Sequence, residues 1–420
     1  MDLLVLFGTM ILFFAIGVPI GICLIFPCFL LLLVNPVTSA SFLAQSFYTG
    51  VASSSMIALP FFMICGNIMD KGGISKRLVG AANNCIGGIT GSLGIVTILA
   101  CMLFGAVSGS AVATVAAIGA IMLPEMVRNG YDKYYATGLC ATAGGLGIIV
   151  PPSYPMVIYG VTNNESIGDL FIAGIVPAVL MLVNYIYCKK RGIKGENKFE
   201  LKTALKGFWD AKWALLMPVI ILGGIYSGIF TATEAAVVAT VYGIIIGCFV
   251  YKEVTFKQLW VEFKSTATFS GGMMWTVAPA TAIGLIFTYM GVNKAIASFF
   301  LGISTNTYVV MSLIIIILFF IGMFMQTTPA IVIFSPVLLN VAKSVGVSSL
   351  QFGVVMTIAL AVGFCTPPVC ANVFVAQSMT GLPMDKIVKP AIPFIGMLIL
   401  ALFAVAFVPG LSVGLVQFLK

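Results

Sequence analysis

Apolar runs long enough to cross a bilayer, roughly 17 to 25 residues each, follow one another along all 420 positions with short polar stretches between them. Hydrocarbon offers no water to backbone amides and carbonyls, so such a chain must satisfy them internally, in helices or in a closed barrel. Barrel strands are about 10 residues of alternating polarity, and these runs are longer and continuous. The chain therefore reads as an all-α polytopic membrane protein. Its composition agrees: 60% of residues are hydrophobic and 8% are charged, against about 25% charged in an ordinary soluble domain.

Two of the runs are interrupted in the same way. "GLGIIVPPSYPMVIYG", Gly145 to Gly160, and "VGFCTPPVCANVFVA", Val362 to Ala376, each carry adjacent prolines in mid-run. A proline has no N–H and crowds the carbonyl four residues earlier, and the residue before it avoids the helical region. Two in succession end a helix. The carbonyls released near Gly147 and Gly363 would cost several kcal/mol each against lipid, so they are expected to face protein, water or an ion. Carbonyl and hydroxyl oxygens suit a hard cation, and helix C-terminal ends carry negative partial charge, so sodium is the expected ion.

The interruptions belong to an internal repeat. "FGAVSGSAVATVAAIG", Phe104 to Gly119, aligns with "IGMFMQTTPAIVIFSP", Ile321 to Pro336. Gly105 to Gly130 spans 25 residues and Gly322 to Gly346 spans 24, while Gly130 to Pro151 and Gly346 to Pro367 are both 21. "GGISK" around Gly73 answers "MGVNK" around Gly291, and Pro60 answers Pro279, at offsets between 216 and 219. Two related halves follow, about 1–190 and 210–420. Duplicated halves with discontinuous helices predict a secondary transporter whose site lies at the repeat interface, and an odd number of crossings per half would invert the copies.

Each half also carries a polar break. Ser108, Gly109, Ser110 and Thr114 stand in one, and Gln326, Thr327, Thr328 and a helix-interrupting Pro329 in the other. These residues offer hydroxyl oxygens to an ion and helix N-terminal amides to an anion. One such motif is ordinarily a packing device; four in register point to a site.

Charge gives orientation and excludes other classes. Eight of the 21 Lys and Arg fall in 189–212, which places that loop in the cytoplasm; three more fall in 252–264 and three in 70–77, and the absence of Lys or Arg before the first apolar run points to an outside N-terminus. The net charge of +8 describes loops, so no nucleic-acid partner is expected. There is no His, the ten Cys form no CxxC, and no Gly-Lys-Ser/Thr occurs. Zinc, haem, Cys-His catalysis and a P-loop are thereby excluded, and without clustered acids the chain is not an enzyme. "TATE" reads as a capping box, Thr231 to Glu234, closing a tight turn between spans at 213–229 and 232–250, with "GVPIG", Gly17 to Gly21, as its counterpart. Glu125, Asp132, Glu165 and Asp169 read as loop residues, as do all three arginines. An anion at such a break would then be held by helix N-termini, hydroxyls and sodium rather than by a guanidinium clamp.

"FGAVSGSAVATVAAIGAIMLPEMVRNGYD", "GLGIIVPPSYPMVIYGV", "GGIYSGIFTATEAAVVATVYG", "GMFMQTTPAIVIFSPVLLNVAKSVG" and "GFCTPPVCANVFVA" together resemble the large membrane subunit of tripartite ATP-independent periplasmic (TRAP) transporters, over nearly the whole chain. The resemblance implies a sodium symporter of the bacterial inner membrane that imports an organic anion such as sialic acid or a C4-dicarboxylate. It implies two partners besides membrane lipid: a small four-helix membrane subunit and a periplasmic substrate-binding protein. It also implies two inverted repeats forming a scaffold and an elevator-type transport domain with two re-entrant hairpins. The expected division is scaffold 1–45, transport half 46–165, scaffold and basic arm 166–265, transport half 266–380 and C-terminal scaffold 381–420. Hairpins are expected at 54–73 and 272–291, and broken helices at 105–114, 147–153, 322–330 and 363–372.

Carried over by motif, one sodium site draws on Ser108, Ser110, Gly147, Val150 and Pro152, and its mate on Gly322, Thr328, Gly363, Thr366 and Pro368. Two ions are implied, with room for a third. Substrate is expected near Ser108, Ser153, Thr327 and Asn372. The chain departs from the family at Gln326, where an acid is common, and at Ala359, where an asparagine is. A stand-alone anion permease or channel of similar architecture is the alternative.

Overall fold

Every regular element among the described residues is helical, as the hydropathy requires. The computed structural model describes residues 6–419 except 7, 11, 14, 15, 35–38, 53, 87–90, 181–200, 368 and 369. Six helices among the described residues are long and apolar enough to cross a membrane: Ala111–Arg128, Ala232–Val250, Phe256–Tyr289, Thr307–Phe324, Thr327–Ser344 and Met384–Phe407. Shorter apolar helices such as Lys212–Tyr226 and Ser349–Cys365 lie between them. Much of the basic stretch 189–212 lies outside the described residues.

The repeat appears in the helices themselves. Ser92–Ser108, Ala111–Arg128, Lys133–Ala143, Tyr154–Asn163 and Ile167–Leu180 are answered by Thr307–Phe324, Thr327–Ser344, Ser349–Cys365, Ala371–Thr380 and Met384–Phe407, each starting 215 to 217 residues later. The punctuation repeats as well. Gly73 and Gly291 turn with φ of +67° and +70°, and Gly130 and Gly346 with +79° and +85°, a region glycine enters without steric cost. Asp132 and Ser348 cap corresponding helices by accepting from the Tyr135 and Gln351 amides. Asp132 is thus a cap, while Glu125 and Asp169 lie on helices rather than in loops.

The halves diverge upstream of these helices. In the first, Ala40–Val51 and Ala58–Lys71 are separate, with a 3-10 turn at Ser54–Ile57 between them. In the second, one 34-residue helix, Phe256–Tyr289, runs from a Thr255 capping box through Pro279. The expected hairpins at 54–73 and 272–291 are therefore not formed. The first segment is the 3-10 turn and a single helix ending at Gly72 and Gly73, and the second lies within one helix until Gly291. A lone proline kinks a helix without reversing it, and neither segment carries a turn in its interior. Two-residue breaks between helices that pack on each other occur instead at Gly109 and Ser110 and at Met325 and Gln326.

Several contacts join the parts. The turn expected before residue 232 is present, with Thr231 and Glu234 capping each other. Ala58–Lys71 packs on Ala232–Ile245, where Thr240 Oγ1 donates to the Phe61 carbonyl at 2.8 Å. Phe256–Tyr289 packs on Ile20–Val34, Ala40–Val51, Ala58–Lys71 and Thr327–Ser344. Across the halves, the Tyr159 hydroxyl donates to the Ser349 carbonyl at 2.8 Å, and Asn163 Nδ2 to Ser335 Oγ at 2.8 Å.

The interrupted helices meet through paired glycines. A methyl on Gly105 would strike the Gly147 Cα, and a methyl on Gly363 would lie 2.5 Å from the Gly322 carbonyl carbon. Both obstacles are backbone and cannot turn aside. Gly363→Ala should therefore destabilise the protein by about 1–3 kcal/mol, the usual cost of overpacking, measured as a lower unfolding midpoint in detergent. Gly396→Ala, in a helix with open space around the position, should be neutral or stabilising by about 0.5 kcal/mol.

Candidate transport site

The first-half site is built on two breaks. Ser92–Ser108 ends at Gly109, and Ser110 caps Ala111–Arg128 by accepting from the Ala113 amide at 3.3 Å. Thr114 Oγ1 donates to the Ser110 carbonyl at 2.7 Å and lies 3.3 Å from Ser108 Oγ. Beyond Lys133–Ala143 a 3-10 turn, Gly144–Ile148, leads to the double proline. Pro151 and Pro152 deny an amide to the carbonyls of Gly147 and Ile148, four residues earlier. Ser153 makes good the second loss: its hydroxyl donates to the Ile148 carbonyl at 2.5 Å and accepts from the Met156 amide, capping Tyr154–Asn163. The Val150 amide turns back to the Leu146 carbonyl at 2.9 Å.

These two breaks touch. Gly147 packs on Thr114 and the Ser110 carbonyl, and a methyl on Gly109 would lie 2.9 Å from the Tyr154 nitrogen and 3.5 Å from the Pro152 carbonyl oxygen. Ser108, Ser110, Gly147 and Pro152 thus gather at one node, with Val150 on the same turn.

In the second half, Met325 and Gln326 are extended and Thr327–Ser344 begins without a side-chain cap. Pro329 does not interrupt this helix, contrary to the sequence expectation. It is the third helical residue, in the first turn, where a missing N–H costs no bond. The break falls two residues earlier. Gly322 and Gly363 are in contact, and the Thr366 amide donates to the Gly363 carbonyl at 3.0 Å while its hydroxyl donates to the Val362 carbonyl at 2.8 Å. Thr328 is buried. Pro368 lies outside the described residues.

A cavity of about 720 Å³ separates the two tips. Ser108 and Ser110 line it from one half and Gln326, Thr327 and Thr328 from the other. Tyr154 and Ala371, the first residues of their helices, also face it. Four helix N-termini, those beginning at 111, 154, 327 and 371, therefore border one space, each with amides unpaired within its helix and the positive end of its dipole. The termini at 327 and 371, which lack a side-chain cap, have the more available amides.

Two expected substrate residues stand apart from this space. Ser153 is fully buried and committed to its helix cap, and it does not line the cavity. Asn372 is fully buried behind Ala371, with Nδ2 3.6 Å from Cys365 Sγ and Oδ1 unpaired. Sequence reasoning missed Asp70 and Lys76, the only charged side chains lining the cavity among the described residues. They sit in a short charged segment that looks like any loop, and only packing brings them to the mouth. The neighbouring Arg77 is engaged elsewhere, 2.7 Å from Glu253 and over the Tyr251 ring. Partial burial raises the Asp70 carboxyl above its ordinary pKa, with Lys71 and Lys76 opposing the shift.

Interrupted helices from two related halves, meeting at a cavity rimmed by hydroxyls and helix N-termini, define a polytopic membrane protein of the secondary-transporter kind. Residues 7–411 match the DctM component of tripartite ATP-independent periplasmic transporters. The isethionate TRAP transporter permease protein DctMQ of Oleidesulfovibrio alaskensis is 41% identical over 97% of this chain, which spans 65% of that longer relative. The C4-dicarboxylate TRAP transporter large permease protein DctM of Pseudomonas aeruginosa is 36% identical over 87% of each chain. The solved YdaH transporter of Alcanivorax borkumensis shares the fold, with a TM-score of 0.65 over 89% of this chain and 87% of its own at 11% identity. The chain belongs to the DctM family of TRAP transporters. It is thus a transport permease of the bacterial inner membrane, not an enzyme.

The charged pair at the mouth should act in opposite directions on any anion entering the cavity. Lys76→Ala is expected to raise the half-saturation concentration on the order of 3- to 10-fold and Asp70→Asn to lower it, both effects shrinking in high salt. The Asp70→Asn effect should be present above the raised carboxyl pKa. It should vanish as pH falls through that value, because the wild-type group is then neutral too. Equilibrium titration of the purified chain with a small organic acid, against pH and ionic strength, checks both.

Proposed function

We propose that this chain is the large permease of a sodium-coupled symporter that imports an organic anion delivered by a periplasmic binding protein. The convergence of four helix N-termini on one cavity carries the reading. Positive dipole ends and hydroxyls attract an oxyanion without a desolvated guanidinium, while the carbonyls stripped by the double prolines attract sodium beside it. The cargo class is a small carboxylate or sulfonate, in line with the isethionate and C4-dicarboxylate named for the relatives.

Sodium in this reading is cargo and not a resident cofactor. One ion is held by Ser108, Ser110, Gly147, Val150 and Pro152, and the other by Gly322, Thr328, Gly363, Thr366 and Pro368. The paired tips, tied across the halves through Tyr159 and Asn163, move together as an elevator past the scaffold. The helix–break–helix units spanning 92–128 and 307–344 serve as the re-entrant hairpins. Since the cavity reaches Asp70 and Lys76 in a segment that also carries Lys71 and Arg77, it opens towards the cytoplasm. A small four-helix subunit completes the membrane part; the greater length of the DctMQ relative leaves room for such a segment there.

In proteoliposomes containing the chain with its membrane and periplasmic partners, an inward sodium gradient should drive accumulation of isethionate or succinate, and replacing sodium with choline should abolish it. Ser108→Ala and Thr328→Val should each raise the sodium half-saturation concentration about 10-fold, a loss of about 1.4 kcal/mol. Uptake that is indifferent to the cation overturns sodium coupling. Full activity without a small subunit favours a stand-alone permease.

A further inference from the structure

The helix Leu201–Asp210 is anchored on one side and bare on the other. Its buried side is Gly207, where a methyl would strike the Asn84 side chain. Leu205, Phe208 and Trp209, three and four residues apart and so on one face, are 61%, 50% and 69% exposed. Trp213, one turn further on, carries the stripe onto the apolar helix Lys212–Tyr226. A contiguous exposed apolar stripe of this kind marks a membrane or a protein contact.

The charges beside the stripe decide between the two. Residues 201–213 hold three lysines against one acid, Asp210, and Lys206 and Asp210 are both exposed. Lys212 Nζ lies 3.7 Å from the centre of the Trp209 ring and 5.5 Å from that of Trp213, so an ammonium and two indoles share one level. The core of a protein interface is depleted of lysine. At a bilayer surface, by contrast, indoles sit at headgroup depth while lysine stems lie along them and hold the ammonium in the polar layer. Ten residues make a helix about 15 Å long, half of what a span requires.

The start of Phe256–Tyr289 is built the same way. Leu259 is buried with Ile64, Ile68 and Val254, while Phe256 and Trp260 are 71% and 74% exposed. Lys257 and Lys264 flank them, with Glu262 the one acid of 256–264.

We infer that Leu205, Phe208, Trp209 and Trp213 seat the 201–213 segment in the cytoplasmic leaflet, and that Lys206 and Lys212 there bind the headgroup phosphate of an acidic phospholipid. A basic amphipathic helix next to a span attracts anionic headgroups, whereas a zwitterionic headgroup returns a positive charge to the same lysines.

The test uses the full chain in nanodiscs, with Trp213, Trp260 and Trp275 changed to Phe so that Trp209 is the one fluorophore. Brominated phosphatidylglycerol and brominated phosphatidylcholine, each labelled near the headgroup end of the acyl chain, are mixed in turn into unlabelled phosphatidylcholine. Both should quench Trp209, and the acidic lipid should do so with a relative affinity about 5-fold higher, falling as salt is raised. Lys206→Gln with Lys212→Gln should bring that ratio to about one, while Lys212→Arg should keep it. The unfolding midpoint should stay at its starting value in all of them, and Lys206→Gln alone, at an exposed position, tests the same point should the double variant not fold. Equal quenching by the two lipids overturns headgroup recognition, as does a preference that survives the lysine changes. Quenching by neither lipid overturns the membrane placement and leaves the stripe to another protein. None of these readouts depends on the cargo.

Discussion

A helix broken inside a membrane must find partners for its freed backbone groups without help from solvent, and this chain does so by placing breaks against breaks. Gly105 meets Gly147 and Gly322 meets Gly363, so that main chain packs on main chain with no side chain between. The residual polar groups are then served locally: Ser153 takes the Ile148 carbonyl, and Thr366 takes those of Gly363 and Val362. The hydroxyls of Ser108, Ser110, Thr327 and Thr328 line one cavity beside these breaks. The site is in this sense a by-product of how the fold resolves its own unpaired groups.

The same solution gives the site its electrostatics. Helix N-termini supply positive potential from fixed dipoles, which need no desolvated side-chain charge and hence no large desolvation cost in a low-dielectric space. Formal charge appears at the mouth, where Asp70 and Lys76 meet water more readily. The two halves are not equivalent in detail. Ser110 caps its helix with its own hydroxyl, while Gln326 makes no such bond, and Tyr154 is matched in the second half by Ala371. A duplicated scaffold therefore encloses an asymmetric pocket.

The upstream elements divide differently from the broken ones. The breaks are matched almost residue for residue, yet Ala40–Val51 and Ala58–Lys71 are two helices where the second half has one of 34 residues. That long helix contacts both early helices and Thr327–Ser344, which makes it the element linking the peripheral helices to the site. The difference explains why hairpins placed at 54–73 and 272–291 fail. The glycine signals there, Gly73 and Gly291, mark helix ends, and reversal needs a turn between two packed segments, which Gly109 and Ser110 provide.

By itself the sequence determined the helical membrane class, the duplication, the capping turn at Thr231 and Glu234, and the four break positions. All are local: apolar run length, proline chemistry and cap geometry act within a few residues. Ser108, Ser110, Gly147 and the Gly322 and Gly363 pair were legible for that reason. Only the tertiary structure decided which breaks touch, that Ser153 and Asn372 turn away from the cavity, and that Lys76, Asp70 and Tyr154 line it. Those facts depend on how helices more than a hundred residues apart pack against one another. Pro329 shows the boundary between the two: its residue type announces a helix end, but whether a proline breaks a helix or begins one depends on which turn it occupies.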